Sequence, residues 1–165
     1  MLNSHARIGP RDLGLILMLV FTLALGHPIL AFSAGQPRYT QEKRCLTLAM
    51  YWEAREEGRK GMTAIGWVIL NRLKSKKFPR TICEVVRQKR TKRRCQFAFW
   101  CDGRSDEPKN RKVWKMANHL AAKLLSKPPR DPTRGALFFH SDRIRVPWAI
   151  KRKRTVHLGC HIYYR

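Results

Sequence analysis

The sequence predicts a helix-dominated α+β domain, and three observations carry that expectation. Apolar residues recur at helical spacing along several segments of the chain, while short aromatic or β-branched runs are confined to its C-terminal end. Hydrophobic residues make up 44% of the 165 and charged residues 28%, which is the composition of a globular chain with a core. That length holds one ordinary domain, with or without a leader, and excludes two large ones.

Residues 1–34 read as an export signal and not as part of the fold. Arg7 and Arg11 supply a basic start, residues 13–25 are almost unbroken apolar sequence, and Ala31, Phe32, Ser33 and Ala34 supply small residues for cleavage. An uncleaved membrane anchor is the competing reading, because residues 29–32 extend the apolar run toward the roughly 20 needed to span a bilayer. His27 and Pro28 sit badly in a span, which favours cleavage. Either way the rest of the chain is expected to be exported, to a periplasm, wall or medium. It would meet a membrane only through this segment.

Residues 35–39 read as a linker and 40–165 as the domain. Thr40 can cap a first helix with Leu46, Ala49 and Met50 on its inner face, and the i+7 member of that face is Glu53. Residues 58–61 should end it. A second helix follows with Met62, Ile65, Val68, Ile69 and Leu73 inward, and Gly66 in its middle implies close packing. Thr81 and Glu84 have capping-box spacing for a short third helix. Asp106, Glu107 and Pro108 should open a longer one, with Val113, Ala117, Ala121 and Leu124 in register, that stops before Pro128 and Pro129. Residues 136–139, 155–158 and 161–164 read as strands.

Cys45, Cys83, Cys95, Cys101 and Cys160 all lie outside the leader, in keeping with an oxidising compartment. Two bridges and one free thiol among five cysteines allow 15 arrangements, and sequence alone fixes none. We favour Cys95 with Cys101, which flank a short aromatic segment, and Cys45 with Cys83. The alternative is that some of them are small buried hydrophobes.

Glu53 is the informative residue. A carboxylate on the core-facing side of a helix loses water, and desolvation disfavours its charged form and raises its pKa. A raised carboxyl pKa suits a general acid, as in glycosidases that protonate a leaving oxygen near neutral pH. The plainer reading is a helix-end carboxylate paired with Arg55 or another arginine.

The run Trp52-Glu53-Ala54-Arg55-Glu56-Glu57, with Gly61, Val68-Ile69-Leu70-Asn71-Arg72, Phe78-Pro79 and Thr81-Ile82, resembles the opening block of the SleB-type cell-wall hydrolases, the spore-cortex-lytic enzymes. Cys95-Gln96-Phe97, Cys101-Asp102-Gly103, Gly135-Ala136 with His140, Pro147-Trp148-Ala149 and the closing His161-Ile162-Tyr163-Tyr164-Arg165 fit the same family in the same order. The resemblance spans essentially all of 40–165. It implies a lysozyme-like, lytic-transglycosylase-like domain with a small C-terminal β region that cuts peptidoglycan glycan strands between N-acetylmuramic acid and N-acetylglucosamine. The resemblance also implies that Glu53 is the acid, with Glu57 in the second acidic position. The chain departs from the pattern at Glu56, where the family usually has Gly, and at the basic insertion 87–94.

In a lytic transglycosylase one Glu acts first as acid and then as base, helping the C6 hydroxyl of the muramic residue close a 1,6-anhydro ring. If water is the nucleophile instead, Glu57 is the only second carboxylate to nominate. Its i+4 spacing suits a role in tuning or orienting Glu53 better. Phe97, Trp100, Trp148 and Tyr163 are candidates to stack on sugar faces, and Asn71, Gln96 and His140 to hydrogen-bond them. The competing role for Phe97, Trp148 and Tyr163 is core packing, and for Asn71 a tie between the second helix and a loop.

The net charge of +24 directs such a surface to polyanions. Peptidoglycan and anionic wall polymers are the expected partners of a monomer. An exported basic protein that binds nucleic acid or wall without catalysis is the alternative, carried by the basic runs 74–77, 87–94 and 151–154. The export leader argues against a specific nucleic-acid partner. A zinc site from His140, His157, Cys160 and His161 matches no familiar spacing, so no metal or other cofactor is expected.

Overall fold

The computed structural model describes residues 35–91 and 94–165, so the leader and anchor readings of 1–34 lie outside the described residues. The elements, in order, are α1 (Gly35–Ala54), a 3₁₀ turn (Arg55–Glu57), α2 (Gly58–Lys74), α3 (Ile82–Arg87), β1 (Lys89–Thr91), β2 (Arg94–Cys95), a second 3₁₀ turn (Ala98–Cys101), α4 (Arg111–Ser126), β3 (Phe138–Ser141), a third 3₁₀ turn (Pro147–Lys151), β4 (Arg154–Leu158) and β5 (His161–Tyr164). Among the described residues no helix is long and apolar enough to cross a membrane.

The core forms where three helical faces meet. Leu46, Ala49 and Met50 of α1, Met62, Ile65 and Ile69 of α2, and Ala117, Ala121 and Leu124 of α4 are all buried. Gly66 makes this approach possible, because a Cβ there would strike the Cδ1 of Leu124 and lie 3.1 Å from the sulfur of Met50. Asn110 starts α4 by accepting the Val113 N–H at 3.1 Å, and Thr81 starts α3 by accepting the Glu84 N–H at 3.2 Å.

Three boundaries differ from expectation. Residues 35–39 are helix, not linker, since Pro37 falls in the first turn of α1, where a missing N–H leaves no bond unmade. Thr40 therefore lies inside the helix. Residues 106–108 precede α4, because Asn110 is the cap. The first helix ends at Ala54, where φ −140° breaks α geometry, and Gly58 at φ +62° opens the second, leaving Gly61 inside α2.

The C-terminal strands form an antiparallel sheet of order β3-β5-β4, with Phe139 opposite Tyr163 and Ser141 opposite His161. β1 and β2 form a separate hairpin from the basic segment that sequence reading left unassigned. Both favoured disulfides are present, Cys45–Cys83 and Cys95–Cys101, and Cys160 is free and exposed.

Candidate active site

Glu53 occupies the last turn of α1, one helical step beyond the fully buried Ala49 and Met50. Its helix face points it inward, and its carboxyl is half-buried. Burial pushes the pKa from 4.5 up to about 7, against the pull of the Arg72 guanidinium in the other direction. Half of such a group carries its proton near neutral pH.

Arg72 is the matching exception on α2, at i+3 and i+4 from the buried Ile69 and Val68, and is only 3% exposed. Its Nε donates to the Leu137 carbonyl at 2.8 Å, and its guanidinium lies over the rings of Phe78, Phe97 and Phe138 at 5.0, 5.4 and 6.0 Å. Burial pulls its pKa down to about 10, Glu53 raises it and Arg90 lowers it further. Its Nη1 is buried without a hydrogen-bond partner among the described residues.

Both residues line a cleft of about 470 Å³. Gln96, His140 and Trp148 line it too, with Phe138 and Phe139 of β3, Arg90 of the basic hairpin, Arg152 and His161. The Cys95–Cys101 bridge closes the loop that carries Gln96. Trp148 stands on the third 3₁₀ turn, its ring 5.6 Å from His140, 5.5 Å from Tyr164 and 6.0 Å from Phe138. His140 Nδ1 donates to the Ser141 carbonyl at 2.8 Å, and Nε2 shares a hydrogen bond with the Tyr164 hydroxyl at 2.9 Å. His140 therefore offers the cleft a ring surface, with both nitrogens already engaged.

The other expected site residues do not reach the cleft. Phe97 and Tyr163 are fully buried, so neither has a face to offer a sugar. Burial, with the Glu57 carboxylate, pushes the Tyr163 hydroxyl pKa upward. Asn71 donates to Asp131 at 2.9 Å and to the Ala136 carbonyl at 3.2 Å, tying α2 to the loop before β3. Trp100 lies under the Arg87 guanidinium at 4.6 Å, away from the cleft.

Glu57 is also displaced from the expected position. The break at Ala54 takes it off the α1 face, and it points at the β4–β5 turn. There it contacts His161 Nδ1 at 2.5 Å and accepts the Cys160 N–H at 2.9 Å. A Cβ on Gly61 or on Gly159 would collide with the Glu57 side chain, so both glycines are needed for this seat. Glu56 is exposed and pairs with Arg55 at 3.3 Å, so the extra carboxylate is absorbed locally.

Sequence reasoning passed over Arg72, Arg152, His161, Phe138 and Phe139 as cleft residues. Arg72 carried the same signal as Glu53, a charge on an apolar helix face. Phe138, Phe139 and His161 depend on the β3–β5 pairing and Arg152 on the end of the third 3₁₀ turn, and none had such a signal. Of the residues considered for zinc, His157 lies 3.1 Å from Asp142, His161 faces Glu57 and His140 faces Tyr164. Among the described residues no three His, Cys, Asp or Glu gather to hold a metal.

The family described as cell wall hydrolase matches residues 56–164, beginning three residues after Glu53. The spore cortex-lytic enzyme of Bacillus subtilis (strain 168) is 31% identical over 123 residues, which is 73% of this chain and 36% of that protein. That of Oceanobacillus iheyensis is 31% identical over 118 residues, 70% of this chain and 38% of that protein. The chain thus spans well under half the length of these relatives. The catalytic domain of the germination-specific lytic transglycosylase SleB from Bacillus anthracis superposes with a TM-score of 0.56 at 25% identity, covering 84% of this chain and all of that one. The SleB catalytic domain of Bacillus cereus gives 0.55 at 24% identity, over 76% of this chain and 91% of that one. The fold is the lysozyme-like fold of these domains.

Proposed function

Because the chain belongs to the cell wall hydrolase family, we propose that it cleaves peptidoglycan glycan strands between N-acetylmuramic acid and N-acetylglucosamine, as a lytic transglycosylase with Glu53 as acid and base. The observation that carries this reading is that Glu53 is the one carboxylate lining the cleft among the described residues, with a pKa raised to about 7 by burial. Two-carboxylate glycosidases need a second acid at a set separation across the scissile bond. Glu57 is held by His161 and Cys160 instead, which supports a one-carboxylate route.

In that route the Glu53 carboxylic acid gives its proton to the glycosidic oxygen as the bond to muramic C1 breaks and N-acetylglucosamine leaves. The resulting carboxylate accepts the proton of the muramic C6 hydroxyl while O6 bonds to C1. The 1,6-anhydro ring closes and Glu53 is protonated again. Glu57 is a positioning residue that acts through His161 on the cleft wall. Trp148 offers a sugar-stacking face and Gln96 an amide for hydroxyl or N-acetyl groups.

Anionic wall polymers would hold the basic surface on its substrate outside the cytoplasm. Mass spectrometry of fragments released from purified peptidoglycan tests the chemistry. Anhydromuramic ends are expected. Reducing ends would mean hydrolysis, and an absence of fragments would refute glycan cleavage.

A further inference from the structure

We propose that a second groove, bordering the cleft, binds the peptide stem carried by the muramic residue, so that the protein takes stem-bearing strands in preference to bare glycan. This rests on the glycan-strand reading above and names the substrate class within it. The groove has a volume of about 490 Å³, within the range of small-ligand sites at roughly 300 to 1,000 Å³. Its walls are mostly apolar, from Ile144, Val146, Pro147 and Ala149 to Ile150 and Ile162.

Ile150 is 90% exposed and Ile144 53% exposed, the two most open large hydrophobic residues among the described residues. Single exposed apolar residues need no explanation, but two on the walls of one groove mark a binding surface. The groove borders the cleft, since His140, Ile144 and Val146 line both. A group covalently attached to the sugar in the cleft can pass into it without leaving protein surface.

The charge fits a particular kind of branch. Arg145 lines the groove, and Arg143, Lys151 and Lys153 are exposed in the neighbouring sequence. Asp142, the one acid on the groove wall among the described residues, lies 3.1 Å from His157. A peptide stem carries alanine methyls and free carboxylates, which match isoleucine walls beside a guanidinium that has no ion pair among the described residues. Contacts remote from the reacting bond can be expressed in kcat/KM, so stem binding would appear as faster cleavage of stem-bearing strands.

The test compares kcat/KM of the full chain on glycan strands with stems intact and on strands whose stems an amidase has removed at the lactyl–alanine bond. Wild type should favour intact strands by about tenfold or more, the scale of a lost apolar contact in a pocket. In Ile150→Asp and Arg145→Gln the ratio of the two rates should fall toward one. Because both rates come from the same preparation, partial misfolding cancels in the ratio. A wild-type ratio near one would overturn the proposal, as would a high ratio that both variants retain. A ratio near one together with Ile150-dependent binding to phosphatidylglycerol vesicles would reassign the groove to a lipid surface. If neither kind of strand is cut, the glycan-strand reading fails and the groove proposal falls with it, a result distinct from equal cleavage of both.

Discussion

Replacing Glu53 by Gln should lower activity and raise stability in the same molecule, with the stability effect growing as pH rises. The carboxyl titrates near 7 in the folded protein against 4.5 when unperturbed, so between those values the native state holds more protons than the unfolded chain. Ionisation then favours the unfolded chain. Stability therefore falls as pH climbs from about 4.5 through about 7 and levels off above. At roughly 1.4 kcal/mol per pH unit, the gap from 4.5 to about 7 corresponds to about 3 kcal/mol. Glutamine carries none of this cost. Between about pH 5 and about pH 8 the stability of Glu53→Gln relative to wild type should grow by about 2 kcal/mol, or roughly 5 to 10 °C in Tm. Over the same range wild-type cleavage should decline as Glu53 loses its proton, and the variant should be slower by about 10² to 10⁴-fold. Calorimetric melting at several pH values, with fragment release from sacculi, measures both. A stability difference that does not change with pH, or a variant with near-normal turnover, would refute the reasoning.

Three further outcomes are expected. Glu57→Gln keeps an acceptor for the Cys160 N–H but removes the charge facing His161, so kcat should drop by about tenfold, less than for Glu53→Gln, with pH-rate profiles showing which step moved. Asn71→Ala strands the partners of a buried amide and should cost about 1 to 3 kcal/mol by denaturant unfolding with KM unchanged; a raised KM at full stability would restore Asn71 as a sugar contact. Binding to sacculi should weaken with added salt, because exposed cations are screened over about 8 to 10 Å; salt-insensitive binding would remove anionic polymers as the anchor.

What could be read from the sequence was what depends on one helix at a time. Glu53 stood out because its position on an inward helix face follows from 3.6-residue periodicity, and Gly66 stood out for the same reason. The 3₁₀ break after Ala54 was hidden, since three residues of altered backbone leave no trace in periodicity yet carry Glu57 to the opposite end of the chain. The aromatic residues divide on tertiary placement, from 3₁₀ turns as well as strands. Phe97 and Tyr163 pack inward while Trp148 and Phe138 face the cleft, and composition alone does not separate a core ring from a wall ring. The hairpin that brings Arg90 to the cleft looked like a basic insertion, because its residues are exposed and lack alternation.

The acid depends on how Arg72 is restrained as much as on burial. A guanidinium placed directly against a half-buried carboxyl would stabilise the anion and draw its pKa down, often by one to three units. That would leave no proton to transfer near neutral pH. Here Arg72 is secured by the Leu137 carbonyl and by three aromatic rings, so its attraction for Glu53 reduces the effect of burial without reversing it. The same burial brings the Arg72 pKa down to about 10, which still leaves it charged at any pH where the cleft works. A neutral acid and a permanent cation can thus share one wall of the cleft. That arrangement gives a proton donor before bond cleavage and, once the proton has gone, a nearby charge that steadies the carboxylate until the muramic hydroxyl returns one.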